Sequence, residues 1–368
     1  MDLSAPTSMP AGTDTATGSA RLRGPDVVRA LALIGVIVMN YHGYLILRGG
    51  AVGTSWIEEL FDPFDGPLST RFAATFVLVA GVGVTLLSRR TLDDPTLVRE
   101  MRWRLIRRGV LLYVVGLILD VIWPGTIIVY YGAMFVLAAA IFTWRSRWIV
   151  ALGVGAAIAA AVIRPWQFDR DRRGHDTDWL SSPGRNSIRR LVFDVFVNGT
   201  HPLLPWFAFL CAGIILGRVL RAPWWRPAAV GIGIALVTSS TMLANLPLTG
   251  IPEVAVSLDP SDRSLGYVAS ALGTALVAYA VIDWIAERFP AATDPLRRAG
   301  QLTLSLYLAH VLVFNLVVDW LGWVKPNGVG NALLLAAGFW VIAVAVGARW
   351  QRRFGRGPAE YVYRSFGG

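Results

Sequence analysis

The chain has 368 residues, of which 55% are hydrophobic and 16% carry a charge. Soluble domains carry roughly 25% charged residues, and apolar runs of membrane-spanning length recur here, so composition predicts a polytopic membrane protein. The net charge of +10 lies mainly between the apolar runs, as the positive-inside rule requires, and therefore gives no support to nucleic-acid binding.

The first 20 residues are rich in Ser, Thr, Ala, Gly and Pro and contain no apolar run, which predicts a disordered cytoplasmic tail rather than a signal peptide. Residues 21–350 form the predicted transmembrane domain. Residues 351–368 form a predicted basic tail, also on the cytoplasmic side. We therefore expect a single membrane domain between two short tails.

Ten apolar segments are predicted to span the membrane as helices, because lipid offers no partner to unpaired backbone groups. They cover approximately residues 28–47, 72–88, 109–123, 127–143, 148–163, 203–220, 228–246, 265–286, 302–321 and 331–347. Every second connecting segment is rich in arginine, which predicts that both termini are cytoplasmic. The third segment precedes Pro124 and Gly125, so we expect a tight hairpin with the fourth. The predicted fold is all-α, a polytopic integral membrane protein in the cytoplasmic membrane.

One predicted outer loop, residues 164–200, is long and mixes acidic with basic residues. Its length is typical of a functional loop, and its composition fits a solvated, variable loop equally well. The single cysteine, Cys211, lies in a predicted span, so no intrachain disulfide is possible and a packing role is favoured. No internal repeat is visible, which disfavours a transporter built from inverted halves.

Polar residues inside the apolar segments are the candidates for chemistry, because lipid disfavours them unless they face a protein interior or a wet cavity. Asn40 and His42 lie near the end of the first segment, His201 precedes the sixth, and His310 and Asn315 lie within the ninth. Histidine is suited to proton transfer near neutral pH. The alternative is a histidine that is only hydrogen-bonded within the protein core. Because Asn315 is a second polar residue near His310, both interpretations of His310, proton transfer and core packing, stay open. Clustering of these helices would create a polar pocket that opens outward.

Arginines on the predicted cytoplasmic side offer a different chemistry. Asp26 and Arg29 lie three residues apart where the first segment begins, and residues 99–108 contain five arginines. Topology signalling and attraction to anionic lipids explain most of them. Arg107 and Arg108 stand directly at the start of a span and are candidates for binding phosphate groups. The chain has no P-loop, no HExxH or GxSxG motif and no metal-ligand spacing, so no metal is expected.

Several motifs in order resemble the transmembrane acyltransferase superfamily. The segment DVVRALALIGVIVMN resembles its opening signature, with Asp26, Arg29 and Asn40 at matching positions. HPLLPWFAFLCAGIILGR resembles a span of the bacterial members, and GQLTLSLYLAH, with Tyr307 and His310, resembles an element with a recurrent histidine. The ending RFGRGPAEYVYR resembles that of YeiB-like proteins of the DUF418 group. The superfamily also includes the heparan-α-glucosaminide N-acetyltransferases and the acyltransferase-3 proteins.

The resemblance implies acyl transfer from cytoplasmic acyl-CoA, such as acetyl-CoA, to a hydroxyl or amine on the far side of the membrane. The expected acceptor is a glycan or lipid-linked sugar of the cell envelope. On this view Arg29, Arg107 and Arg108 bind the phosphates of the co-substrate. Asn40 orients the acyl carbonyl, and either His42 or His310 deprotonates the acceptor.

Two other functions compete with this interpretation. A transporter or flippase would use the same central polar cavity, and paired broken helices or further intramembrane carboxylates would favour it. A structural or regulatory membrane protein with a degenerate site would lose stability, but no catalysis or transport, when His310 or Asn40 is replaced. Membrane lipids are expected partners in every case.

Overall fold

The computed structural model describes residues 22–177, 180 and 192–368, and within them it contains helices and no strand. The helices are α1 (Gly24–Leu47), α2 (Trp56–Leu60), α3 (Arg71–Ser88), α4 (Pro95–Asp120), α5 (Ile127–Ile141), α6 (Ser146–Arg172), α7 (Leu203–Val219), α8 (Trp225–Ala244), α9 (Ile251–Val256), α10 (Leu265–Arg288), α11 (Asp294–Gly300), α12 (Thr303–Phe314), α13 (Val329–Phe354) and α14 (Pro358–Gly367). Wider π-helical turns cover Asp194–Asn198 and, directly after α12, Asn315–Trp320. The predicted all-α class is confirmed for these residues.

Seven described helices are long and apolar enough to cross a membrane: α1, α3, α6, α8, α10, α12 with its π-helical extension, and α13. Helices α5 and α7 are apolar but shorter. Helix α4 is long, and its first half is rich in arginine. Each of the ten predicted segments overlaps one of these ten helices. The chain is thus a multi-pass membrane protein, while the count of ten spans and the side of each terminus stay predictions.

Helix α1 lies at the centre of the bundle. It packs against α3, α10, α11, α12 and α13. In its most apolar 18-residue window 67% of the residues are buried, compared with 17% for α8 at the periphery. A central position explains why α1 tolerates Asp26, Asn40 and His42, because protein rather than lipid surrounds them.

Glycine permits the closest helix contacts in the bundle. A Cβ on Gly213 of α7 would lie 2.0 Å from the backbone oxygen of Leu78 in α3, and a Cβ on Gly81 would lie 2.2 Å from that of Leu210. In the same way, a Cβ on Gly132 of α5 would lie 2.5 Å from the backbone nitrogen of Tyr113 in α4. Small residues at these crossings let the backbones approach, as is common in membrane bundles.

The predicted hairpin of the third and fourth segments is present as α4 and α5. Its turn contains Pro124 and Gly125, and Gly125 adopts a φ of +84°, which favours glycine. The carboxylate of Asp120 accepts a hydrogen bond of 2.8 Å from the Gly125 backbone N–H. Thr126 then caps α5 through the backbone N–H of Ile128. This turn places Trp123 and Thr126 beside the candidate site.

The predicted N-terminal tail and part of the outer loop fall outside the described residues, whereas the predicted C-terminal tail is described. The tail 1–20 lies outside them altogether. In the loop 164–200, α6 continues to Arg172 and a π-helical turn covers Asp194–Asn198, whereas residues 178–179 and 181–191 lie outside. At the other end of the chain, α13 continues to Phe354 and α14 follows. The segment predicted as a basic tail is therefore largely helical.

Candidate active site

A cavity of about 640 Å³, here called the inner cavity, lies at the end of the bundle where α3 ends and α1, α12 and α14 begin. Helices α1, α3, α4, α5, α12 and α14 contribute to its walls. Exposed Arg90 and Arg364 stand at its mouth, and the buried residues Ile128, Tyr131 and Tyr307 lie at its far end. The inner cavity therefore leads from charged groups at the bundle surface into the apolar interior.

The mouth of the inner cavity is strongly basic. Its charged lining residues are Arg29, Arg89, Arg90, Arg108, Arg364, Asp26 and Glu360. Both carboxylates accept hydrogen bonds from other groups of the protein, so the arginines dominate the field at the mouth. The buried guanidinium of Arg108 lies 5.0 Å from the centre of the Tyr363 ring, and its Nε has no hydrogen-bond partner among the described residues. Clustered guanidinium groups are suited to phosphate oxygens.

Hydroxyl groups line the far end of the inner cavity. The hydroxyls of Thr126 and Tyr307 lie 3.1 Å apart. Nearby, the buried hydroxyl of Tyr131 has no hydrogen-bond partner in the described part of the chain. Because an unpaired buried hydroxyl costs free energy, Tyr131 marks a position where a ligand atom would be stabilised.

Asn40 and His310 meet directly behind Tyr307. The Nδ2 atom of Asn40 lies 3.1 Å from Nε2 of His310, although the two residues are 270 positions apart in the chain. His310 is fully buried, and its ring centre lies 4.7 Å from that of Tyr307. One aromatic side chain therefore separates the inner cavity from this pair.

The hydrogen-bond partners of the His310 ring indicate which of its two nitrogens carries the proton. Its Nδ1 lies beside the backbone carbonyl of Tyr307, which only accepts hydrogen bonds, so Nδ1 carries the proton. In the neutral ring Nε2 then holds the lone pair and accepts from the Asn40 amide. The hydroxyl of Tyr41 donates 3.1 Å to the backbone oxygen of His310 and ties α12 to α1. This arrangement prepares Nε2 to take a proton.

Aromatic rings other than Tyr307 also pack against or near His310. The Trp123 ring, 1% exposed, lies edge-on to the His310 ring at 5.6 Å. Tyr44 stacks on Trp123 at 3.5 Å, and its hydroxyl donates to the backbone oxygen of Pro124. Phe314 packs edge-on against Trp123 at 5.2 Å. We call Tyr44, Trp123 and Phe314 the aromatic seal.

A second cavity, of about 560 Å³, is here called the outer cavity; it is lined in part by Pro124, whose backbone oxygen accepts from Tyr44 of the aromatic seal. Its polar lining residues include Asp120, Tyr130, Asp194, Asn198 and Thr200. The backbone N–H of Thr200 donates 3.0 Å to the Tyr130 hydroxyl. Hydroxyl, amide and carboxylate groups together suit a polyhydroxylated ligand. The outer cavity thus adjoins the aromatic seal, which packs against His310.

The other predicted histidines lie away from Asn40. His42 is two positions from Asn40 on α1, about 200° around the helix, and it faces the carbonyl oxygen of Phe61, 2.7 Å from Nδ1. His201 packs against Trp206, with ring centres 4.7 Å apart, and its Nδ1 is buried without a partner among the described residues. Burial of the His201 ring lowers its pKa to about 3, and the positive charge of Arg263 adds to this shift.

The remaining predicted residues divide between the cavity wall and other positions. Arg29 and Asp26 line the inner cavity, 3.4 Å apart, and Gln301 donates 3.1 Å to Asp26. Arg107 is exposed and does not line it, so only Arg108 of that pair faces the cavity. Asn315 is buried, and its amide donates 2.9 Å to the backbone oxygen one helical turn earlier, at the start of the π-helical turn.

Several residues of the candidate site were not among the predicted ones. Tyr131 and Thr126 look ordinary in a long apolar run, although a tyrosine hydroxyl at membrane depth is a usable signal. Trp123 resembles the many tryptophans near span ends. Arg364 lies in the segment predicted as a tail, where its only signal is the RGPAEYVYR ending.

Two family models match the chain. The model described as heparan-alpha-glucosaminide N-acetyltransferase, catalytic, matches residues 21–244, more than half of the sequence. The chain belongs to this N-acetyltransferase family. The model described as protein of unknown function (DUF418) matches residues 217–367. A curated relative, the uncharacterized protein YeiB of Escherichia coli strain K12, is 21% identical over 92% of this chain and 94% of its own length.

Residues from both matched regions of this N-acetyltransferase family member form the candidate site. Arg29, Asn40 and Arg108 lie in the region of the acetyltransferase match, whereas His310 and Arg364 lie in that of the DUF418 match. The inner cavity and the Asn40–His310 pair therefore require both halves of the chain.

Proposed function

We propose that this protein is a membrane acyltransferase that uses acyl-CoA, with acetyl as the expected acyl group. The inner cavity, on the cytoplasmic side, binds the co-substrate, and the arginines at its mouth hold the phosphates. The outer cavity admits the acceptor, a hydroxyl or amine of an extracytoplasmic glycan or lipid-linked sugar. The observation that carries the proposal is the Asn40–His310 pair, 3.1 Å apart, whose histidine ring contacts both Tyr307 of the inner cavity wall and Trp123 of the aromatic seal.

Each group in the centre has a role in the proposed reaction. The Asn40 amide first leaves Nε2 of His310, and Nε2 then removes the proton from the acceptor while the acceptor oxygen or nitrogen bonds to the thioester carbonyl carbon. The amide N–H of Asn40 stabilises the negative charge that develops on the carbonyl oxygen. The carbon–sulfur bond then breaks, and the CoA sulfur takes the proton from His310. Tyr307 and the aromatic seal must both move, because the reacting groups enter from opposite sides.

The test is thiol release from acetyl-CoA by purified protein in lipid nanodiscs, with and without a sugar acceptor. His310→Gln and Asn40→Ala are each expected to lower the turnover rate by about a hundredfold or more, as loss of a general base or of one oxyanion donor does. His175→Gln, at an exposed position after α6, is the matched control.

Two outcomes would contradict the proposal. Loss of release in His42→Gln with full release in His310→Gln would move the base to the other histidine. No thiol release and no binding of CoA, over a range of acyl lengths and acceptors, would favour a transporter or flippase.

A further inference from the structure

The last helix of the described chain, α14, forms part of the inner cavity wall. It packs against α4 and against the beginning of α12. Tyr363 and Arg364 of α14 line the cavity beside Arg108, whose guanidinium stacks over the Tyr363 ring. Helix α14 therefore stands at the mouth that the arginines surround.

Glu360 attaches α14 to the helix that carries His310. The backbone N–H groups at the start of α12 have no side-chain cap of their own. One Glu360 oxygen accepts from the N–H groups of Leu304 and Ser305, at 2.7 and 3.1 Å, and the other accepts from the Ser305 hydroxyl. That hydroxyl also accepts 3.0 Å from the backbone N–H of Ala359. A carboxylate at a helix N-terminus satisfies unpaired donors and opposes the positive end of the helix dipole.

The remaining guanidinium groups at the mouth come from α1, α4 and the segment after α3. Arg364 is the contribution of α14 and the fifth arginine in the lining of this cavity. A ligand with several phosphate groups would need contacts from more than one helix, and α14 supplies one of them.

Resting on the proposed function, we propose that α14 is part of the acyl-CoA site. Arg364 binds a phosphate of the co-substrate, and Tyr363 packs beside it against Arg108. Glu360 is a positioning residue, because it holds α14 against α12 and so keeps Arg364 at the mouth. The segment that looks like a basic tail in the sequence thus determines the affinity for the nucleotide.

The first test measures the affinity of full-length protein in nanodiscs for CoA and for dephospho-CoA, which lacks the 3′-phosphate. Arg364→Ala is expected to weaken CoA binding by about tenfold or more, and Arg364→Lys by less, because lysine keeps the charge but not the bidentate geometry. Arg353→Ala removes an exposed arginine that does not line the inner cavity and is the matched control. If Arg364 contacts the 3′-phosphate, Arg364→Ala will not weaken dephospho-CoA binding; an equal loss for both ligands assigns Arg364 to the diphosphate.

The second test uses a double-mutant cycle to separate positioning from general stability. Glu360→Ala is expected to weaken CoA binding, and Glu360→Ala combined with Arg364→Ala is expected to bind more tightly than the product of the two single losses predicts. A merely structural role of Glu360 would lower thermal stability and leave the two losses independent. Ser305→Ala removes the hydroxyl that binds Glu360 and the Ala359 N–H but leaves the two backbone donors to Glu360, so it is expected to give a smaller loss of affinity than Glu360→Ala.

The outcomes distinguish this inference from the proposed function. Parent protein that binds CoA, together with Arg364→Ala that binds it equally well, contradicts the role of α14 and leaves the acyltransferase proposal standing. Parent protein that does not bind CoA contradicts both.

Discussion

Tyr131 is a buried tyrosine whose hydroxyl lacks a partner among the described residues, and it lies on the wall of the inner cavity. Tyr279 has the same kind of unpaired hydroxyl, but it packs against Trp225, and it does not line that cavity. The two residues therefore form a natural comparison between a tyrosine on the wall of the inner cavity and one away from it.

Replacing each of these tyrosines by phenylalanine tests that comparison. Without ligand, Tyr131→Phe and Tyr279→Phe are both expected to keep or gain stability, by up to about 1 kcal/mol, because each removes an unpaired buried group. Only Tyr131→Phe is expected to weaken acetyl-CoA binding. Thermal unfolding and ligand affinity are the measurements, and equal affinities in the two variants would show that Tyr131 does not contact the co-substrate.

His201 makes a prediction about pH. Its folded pKa is about 3, below the ordinary 6.5, so between these values the unfolded chain binds a proton that the folded protein does not. Its contribution to stability is complete above pH 6.5 and decreases as the pH falls towards 3. Unfolding temperatures measured from neutral to mildly acidic pH should therefore fall less steeply for His201→Gln than for the parent. Parallel curves would contradict the depressed pKa.

At the scale of helices, the aromatic seal joins α1, α12 and the turn between α4 and α5. Trp123 contributes most of the barrier, because it touches His310, Tyr44 and Phe314. The pairing of Arg48 with Asp319, next to the Tyr44 and Phe314 rings, holds α1 and the π-helical turn together at the same level.

Opening the aromatic seal should let water compete with the acceptor. Trp123→Ala is expected to raise thiol release from acetyl-CoA in the absence of acceptor by several-fold, because water would reach the thioester beside His310. Trp148→Ala, at an exposed position on α6, is the control. An acceptor-independent rate that stays at the parent level would show that Trp123 does not exclude water.

The predicted elements agree with the structure for a physical reason. An apolar run of spanning length has few alternatives to a helix in lipid, so all ten predicted segments overlap helices. Which helices are neighbours depends on side-chain packing between distant segments. The contact of Asn40 with His310, and the exclusion of His42 from it, could therefore not be deduced from the sequence.

Helix α14, by contrast, was not among the predicted elements. It has ten residues, too few for a stable isolated helix, and its single arginine, Arg364, resembles those of any cytoplasmic tail. Glu360 attaches it to α12 through partners that lie more than fifty positions away. Only the tertiary contact reveals that this segment belongs to the inner cavity.

At the scale of the whole molecule, α3 packs closely against α7, and α3 also contributes to the wall of the inner cavity. Gly213→Ala should destabilise the protein by roughly 1 to 3 kcal/mol, because its Cβ would overlap the backbone of Leu78. Gly155→Ala, where a Cβ would meet no atom within 4 Å, should be neutral or slightly stabilising. Thermal unfolding in one detergent compares them, and equal stabilities would contradict the tight crossing.

The position of His310 between two closed barriers has an electrical consequence. Moving one elementary charge across a membrane costs about 2.3 kcal/mol per 100 mV. On the proposed function, the acyl group passes outward while the proton of the acceptor passes inward through His310 to the CoA sulfur, so the exchange moves no net charge. Transfer would then neither consume nor dissipate the membrane potential. As long as one barrier is closed while the other opens, protons and ions have no continuous wet path through the protein.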